Sequence, residues 1–190
     1  DSILDINYLI SPFSFFQTNS EQLNQFVKMI IEFSNVNANH TVWDLYCGTG
    51  SITLPISKHC KEVYGFELVQ SSIEDAKLNS KLNNIQNTIF FNVDLHSEKV
   101  VQLFSELPQP DVIIIDPPRA GIHRSLIEHI LKLNSPKIVY VSCNPMTQSR
   151  DCGLLSEKYE FLTLNPVDMF PHTSHVENIA LLEKLSTISI

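Results

Sequence analysis

Two rhythms of apolar residues alternate along most of the chain. Short apolar or β-branched runs at 41–45, 62–66, 88–93, 111–115 and 137–141 are strand-like in length. Two of them, 112–115 and 138–141, are continuously apolar, as a strand buried on both faces requires. Between the runs lie stretches with helical spacing at 51–58, 70–82, 126–133 and 146–156. In the second of these, Ile73, Ala76, Leu78 and Leu82 recur against polar neighbours. An amphipathic helix is predicted over 21–33, and two strands over 161–182 around a loop at 168–175. Strand and helix in alternation predict an α/β fold: a mostly parallel sheet, helices on both faces, and an antiparallel last strand. Without internal repeat, low-complexity segment or linker, residues 1–190 are expected to form a single domain.

In such sheets ligands sit beyond the carboxyl ends of the strands. The first strand runs into Cys47-Gly48-Thr49-Gly50, where glycine lets backbone approach a ligand closely. Acids close three further runs: Glu67, Asp94 and Asp116. Glu67 stands 17 residues beyond Gly50, near the spacing at which an acid takes ribose hydroxyls. The third glycine of the dinucleotide fingerprint is missing, because position 53 is Thr53. A methionine-bearing nucleoside therefore suits the turn better than a dinucleotide with a pyrophosphate to cradle.

Cys143 ends a buried strand and precedes the turn Asn144-Pro145, so it is expected at the ligand edge as a nucleophile. Helical N–H groups after that turn are expected to lower its pKa. Cys60 and Cys152 read as buried packing residues, and Cys47 as packing within the turn. Glu177, just before the apolar run 179–182, is the candidate general base. His172 and His175 are expected to orient neighbours or contact a ligand. Pro171 and the strand-like surroundings argue against a metal there.

Composition changes the picture in one respect. With 43% hydrophobic and 18% charged residues the chain is ordinary and globular, but its formal net charge is −8. That sign opposes general attraction to phosphate. No Cys pair has zinc or redox spacing, no apolar run could cross a bilayer, and residues 1–5 are acidic where a secretory leader is basic. A cytoplasmic location with reduced thiols is expected. The chain does not begin with Met and is expected to be part of a longer protein.

Five motifs, in order, resemble the RNA uracil-5-methyltransferases that act on ribosomal and transfer RNA. They are Phe15-Phe16-Gln17-Thr18-Asn19, Asp44-Leu45-Tyr46-Cys47-Gly48-Thr49-Gly50, Asp116-Pro117-Pro118-Arg119, Ser142-Cys143-Asn144-Pro145, and Phe170-Pro171-His172 through Glu177. The resemblance spans essentially the whole chain. It implies a Rossmann-like class I methyltransferase fold, with residues 1–35 as a lead-in and helix contributing to the cofactor site. It implies S-adenosylmethionine as cofactor, leaving as S-adenosylhomocysteine, with Gln17, Tyr46, Gly48, Glu67 and Asp116 at its site and Ser51 and Asp94 as weaker members. Position 51 departs from the family's Asn. Cys143 would be the nucleophile toward carbon 6 of uracil and Glu177 the base for the carbon 5 proton, with Asp116 touching both ligands. Relatives usually carry an N-terminal RNA-binding barrel, and some an iron–sulfur cluster; neither is recognisable here, and no metal is expected. The partner implied is RNA, 23S ribosomal RNA ahead of transfer RNA because residues 168–173 resemble the ribosomal branch, and a monomer is expected. Two rivals remain. One is a methyltransferase with an amino or small-molecule acceptor, although Arg119 stands where those enzymes carry an aromatic. The other is a non-catalytic binding module that keeps the fold.

Overall fold

A computed structural model describes residues 1–12, 19–169, 173 and 176–186. A small antiparallel hairpin, β1 (Ser2–Ile3) and β2 (Ile6–Asn7), leads to α1 (Ser20–Ser34). Then follow β3 (Thr41–Leu45), α2 (Thr53–Ser57), β4 (Glu62–Glu67), α3 (Gln70–Leu82), β5 (Thr88–Asn92), α4 (Lys99–Glu106) and β6 (Val112–Ile115). The chain continues through α5 (Arg124–Leu133), β7 (Lys137–Ser142), α6 (Pro145–Leu155), β8 (Tyr159–Val167) and β9 (Glu177–Lys184).

Seven strands form one sheet in the order β5-β4-β3-β6-β7-β9-β8. The first five are parallel; β9 inserts antiparallel between β7 and β8. Strand order reverses between β3 and β6, which opens a crevice at their carboxyl ends. The two-residue period of the strands sorts the core into two halves. Val42, Val63, Ile114, Val139 and Ile179 face the layer of α1, α2 and α3. Trp43, Phe66, Ile113, Tyr140 and Leu182 face α4, α5 and α6. Trp43 anchors the second half, with ring centroids 5.3 Å from Phe66 and 4.7 Å from Phe104. No helix among the described residues is long and apolar enough to cross a membrane.

The structure departs from the sequence reading in four places. The predicted helix over 51–58 is confined to Thr53–Ser57, because left-handed Gly48 and Gly50 keep the chain turning, and Ser51 lies in that turn. Helix α4 was not expected; its Val100 and Phe104, one turn apart, are both buried. The hairpin at the N-terminus was also not expected. The fourth departure is which face of α3 is buried. Leu78 and Leu82 are exposed, whereas Asp75 and Asn79 are buried because they serve the N-terminal segment as hydrogen-bond partners. Asn79 exchanges bonds with the Leu9 backbone, Asn83 does the same with Asn7, and the Asp75 carboxylate accepts Ser11 N–H. Tyr8, brought in by that segment, donates to the Gly50 carbonyl at 3.2 Å.

Candidate active site

The turn after β3 contains three residues in the left-handed region: Tyr46 (φ 67°), Gly48 (φ 53°) and Gly50 (φ 86°). Tyr46 and Cys47 N–H both donate to the Phe66 carbonyl, which draws the turn over the end of β4. At Gly48 an added Cβ would meet nothing within 4 Å, so this backbone faces open space and can receive a ligand. At Gly50 it would come within 3.2 Å of Leu54, so that glycine serves packing. Glu67 braces the turn: its carboxylate accepts Gly48 N–H at 3.1 Å and Val69 N–H at 2.8 Å.

Beneath the turn lies Asp44, wholly buried, with one carboxylate oxygen accepting the Thr53 hydroxyl and the other without a partner. Burial pushes its pKa up to about 7, against the Thr53 bond and with help from the charge of Glu67. An open glycine, an acid at the ribose position and a buried acceptor beneath them suit a polar nucleoside carrying positive charge.

On the flank, Asp94 is half exposed and accepts His96 N–H at 2.9 Å. The Tyr46 hydroxyl meets His96 Nε2 at 3.2 Å, and the His96 and His123 rings lie 5.2 Å apart. Neither histidine is singled out by the sequence, since each is a lone polar residue in a loop.

Strand register assembles the second group. Ser142 pairs with Asn178 across β7 and β9, so the next positions, Cys143 and Glu177, meet at the sheet's carboxyl edge. Asp116 follows β6 on the neighbouring strand. Glu177 is buried; burial raises its pKa while Arg119 opposes the rise. Asp116 is half-buried and pushed up to about 7, by burial first and then by the charges of Glu177 and Asp44. Cys143 is half-buried, and its thiol is raised, not lowered: burial dominates, Glu177 and Asp116 add to it, and Arg119 pulls the other way. The expected depression by helical N–H groups fails because Asn144 caps α6, its side chain already accepting Met146 N–H.

Tyr46, Gly48, Ser51, Glu67, Asp94 and Asp116 thus lie at or just beyond the carboxyl ends of β3, β4, β5 and β6, with Cys143 and Glu177 at the same sheet edge by β7 and β9. Gln17, His172 and His175 lie outside the described residues. Cys47 and Cys60 are buried, and Cys152 is half-buried within α6.

Residues 4–185 match the family described as tRNA (Uracil-5-)-methyltransferase. A protein of Bacteroides thetaiotaomicron, named an uncharacterized RNA methyltransferase, is 46% identical over 178 residues, covering 94% of this chain and 39% of the relative. One of the same description from Staphylococcus aureus is 45% identical over 181 residues, 95% of this chain and 40% of the relative. The chain therefore spans about two fifths of the length of these curated relatives. Among solved structures, the Pyrococcus abyssi tRNA (uracil-54, C5)-methyltransferase in complex with S-adenosyl-L-homocysteine superposes with a TM-score of 0.83 at 35% identity. That match covers 96% of this chain and 43% of the archaeal one. The N-methyltransferase NodS of Bradyrhizobium japonicum, 15% identical with a TM-score of 0.72, shares the fold.

Proposed function

We propose that this chain, which belongs to the tRNA (uracil-5-)-methyltransferase family, is the catalytic part of an enzyme that methylates carbon 5 of a uridine in RNA. The observation that carries the reading is the meeting of a thiol, a buried carboxylate and a second carboxyl at one strand edge, beside the point where strand order reverses. Tyr46, Gly48, Glu67 and Asp116, with Ser51 and Asp94 at the margin and Gln17 from the N-terminal motif, would hold S-adenosylmethionine. When bound, that cofactor supplies an electrophilic methyl group on a positively charged sulfur. Asp44 lies beneath it with an acceptor to spare.

Carbon 5 of uracil is too weak a nucleophile to take a methyl group unaided. Cys143, its thiol proton passing to solvent, adds as thiolate to carbon 6, and the electrons of the 5,6 double bond move onto the carbonyl oxygen at position 4. Asp116, with a pKa near neutrality, can donate a hydrogen bond to the pyrimidine edge while that charge forms. Carbon 5 would then take the methyl carbon as its bond to sulfur breaks, the electron pair staying on sulfur and S-adenosylhomocysteine leaving. Glu177 removes the carbon 5 proton, the double bond re-forms, and the Cys143 sulfur leaves with its electron pair. A uridine can reach this edge only if it is turned out of its stack.

Ribosomal RNA is the substrate we propose, on the resemblance of residues 168–173 to the ribosomal branch. Transfer RNA is the second reading, favoured by the name of the Pyrococcus relative. Because the chain is acidic, the phosphate-gripping surface is proposed to lie in the rest of the protein. The test is mass spectrometry of the full-length protein mixed with S-adenosylmethionine and RNA containing 5-fluorouridine. Fluorine at carbon 5 cannot leave as a proton, so a methylated adduct on the Cys143 peptide is expected, with ribosomal or transfer RNA deciding the substrate. Methylation of an exocyclic nitrogen without adduct would overturn the reading.

A further inference from the structure

Loop 117–122, which follows Asp116, ends almost entirely on the helix that follows Cys143. The Arg119 carbonyl accepts from Asn144 Nδ2 at 3.1 Å and from Thr147 Oγ1 at 3.3 Å. The Ala120 and Ile122 carbonyls accept from Arg150 Nη2 at 3.0 and 3.4 Å. Ile122 N–H donates to Asp151 at 2.8 Å, on an oxygen that also receives the Tyr140 hydroxyl at 2.7 Å. The other Asp151 oxygen takes Arg150 Nε at 2.8 Å and Nη2 at 2.7 Å. Asp151 is 0% exposed. The fit leaves no slack: at Gly121, with φ +77°, an added Cβ would lie 2.5 Å from the Asp151 carboxylate and 2.6 Å from Arg150.

A wholly buried carboxylate is costly unless donors surround it, and an ion pair whose cation is half-exposed gains little stability against solvent screening. What the Arg150–Asp151 pair secures is geometry, since three of its bonds hold loop backbone in one place. We propose that Asp151, acting through Arg150, is a positioning residue that locks loop 117–122 onto α6 and so holds Arg119 facing Cys143 and Glu177. Four groups share that edge: Cys143 from the end of β7, Asp116 from the end of β6, Glu177 from β9, and Arg119, the cation among them. Burial is the larger cause in both, but Arg119 opposes the rise in the Cys143 thiol and in Glu177, so its placement bears on how readily a thiolate forms. The kinetic consequence rests on the uracil reading above; the placement does not.

The test uses the full-length protein without RNA, following alkylation of the Cys143 peptide by iodoacetamide across a pH series. Asp151→Asn and the milder Arg150→Lys are expected to move the alkylation midpoint to higher pH, because the field of Arg119 is displaced. Tyr140→Phe removes an Asp151 bond that does not reach the loop, and is expected to lower Tm with the midpoint unmoved. In methyl transfer, Asp151→Asn should lose roughly ten- to a hundredfold in kcat with cofactor affinity kept. If Asp151→Asn and Arg150→Lys lower Tm but leave the midpoint in place, or if Tyr140→Phe moves it equally, the positioning role is overturned. A shifted midpoint in a protein that methylates no uridine would leave the lock standing and remove the uracil reading instead.

Discussion

Asp44 offers a quantitative test of the crevice. Its folded pKa of about 7 stands against a usual value of 3.8, so the native state holds a proton that the unfolded chain gives up between those limits. The folded pKa is raised, so unfolded Asp44 binds fewer protons than native Asp44 and stability falls as pH rises through this window. At about 1.36 kcal/mol per pKa unit, the cost is on the order of 2 kcal/mol at pH 5 and about 4 kcal/mol at pH 8. Asp44→Asn keeps the shape and an acceptor for the Thr53 hydroxyl but does not titrate. It should gain about 2 to 3 kcal/mol relative to the wild type between pH 5 and pH 8. Asp116 also titrates near 7 and is present in both proteins, so its direct contribution cancels, apart from the charge Asp44 imposes on it. The assay is urea denaturation of both proteins at half-unit steps of pH, with S-adenosylmethionine titrated into each by calorimetry. The variant should be the more stable at pH 8 and the weaker binder, since the buried charge is retained for the ligand above it. Parallel stability curves for the two proteins would refute the reasoning.

Cys143→Ala should abolish methyl transfer and leave cofactor affinity, measured by calorimetry, nearly intact; a large loss of binding would count against the assigned role. Glu177→Gln should accumulate a protein–RNA adduct visible on denaturing gels, because the proton stays on carbon 5; normal turnover would remove Glu177 from the mechanism. Gly50→Ala, at φ 86° with Leu54 at 3.2 Å, should cost roughly 1–3 kcal/mol by denaturation, and an unchanged midpoint would show that the turn relaxes freely.

How much of this was legible in the sequence depends on the range of the contact that decides each feature. Strands and the turn at Gly48 and Gly50 are written locally, in apolar period and in residues that tolerate left-handed backbone. The acids at strand ends are legible for the same reason, because each directly follows or closes an apolar run whose carboxyl end is the ligand edge of the sheet. The meeting of Cys143 with Glu177 is different. It follows from the pairing of Ser142 with Asn178, partners far apart in sequence, which only the antiparallel insertion of β9 brings into register. Motif resemblance foretold that meeting; periodicity did not. The face of α3 misled because its buried stripe is polar: Asp75 and Asn79 act as hydrogen-bond partners for residues 9–11. Likewise Asp151 looks like any helix aspartate until the loop from β6 arrives.

The direction of the Cys143 shift bears on how the site works. A preformed thiolate would suit a nucleophile that attacks many electrophiles, but here burial and two carboxylates hold the thiol protonated. Burial also raises Glu177 against the pull of Arg119 and pushes Asp116 up to about 7, so Asp116 can hold a proton or release one near physiological pH. The charge of Glu177 bears on both Asp116 and Cys143, and Arg119 opposes the rise at Cys143 and at Glu177. A carboxylate raised by burial is also a stronger base for a carbon acid than a solvated one, which is what the carbon 5 proton demands. In the proposed reaction, low intrinsic thiol reactivity and high carboxylate basicity are thus one arrangement: the crowding that quiets Cys143 would equip Glu177 for the step that releases it.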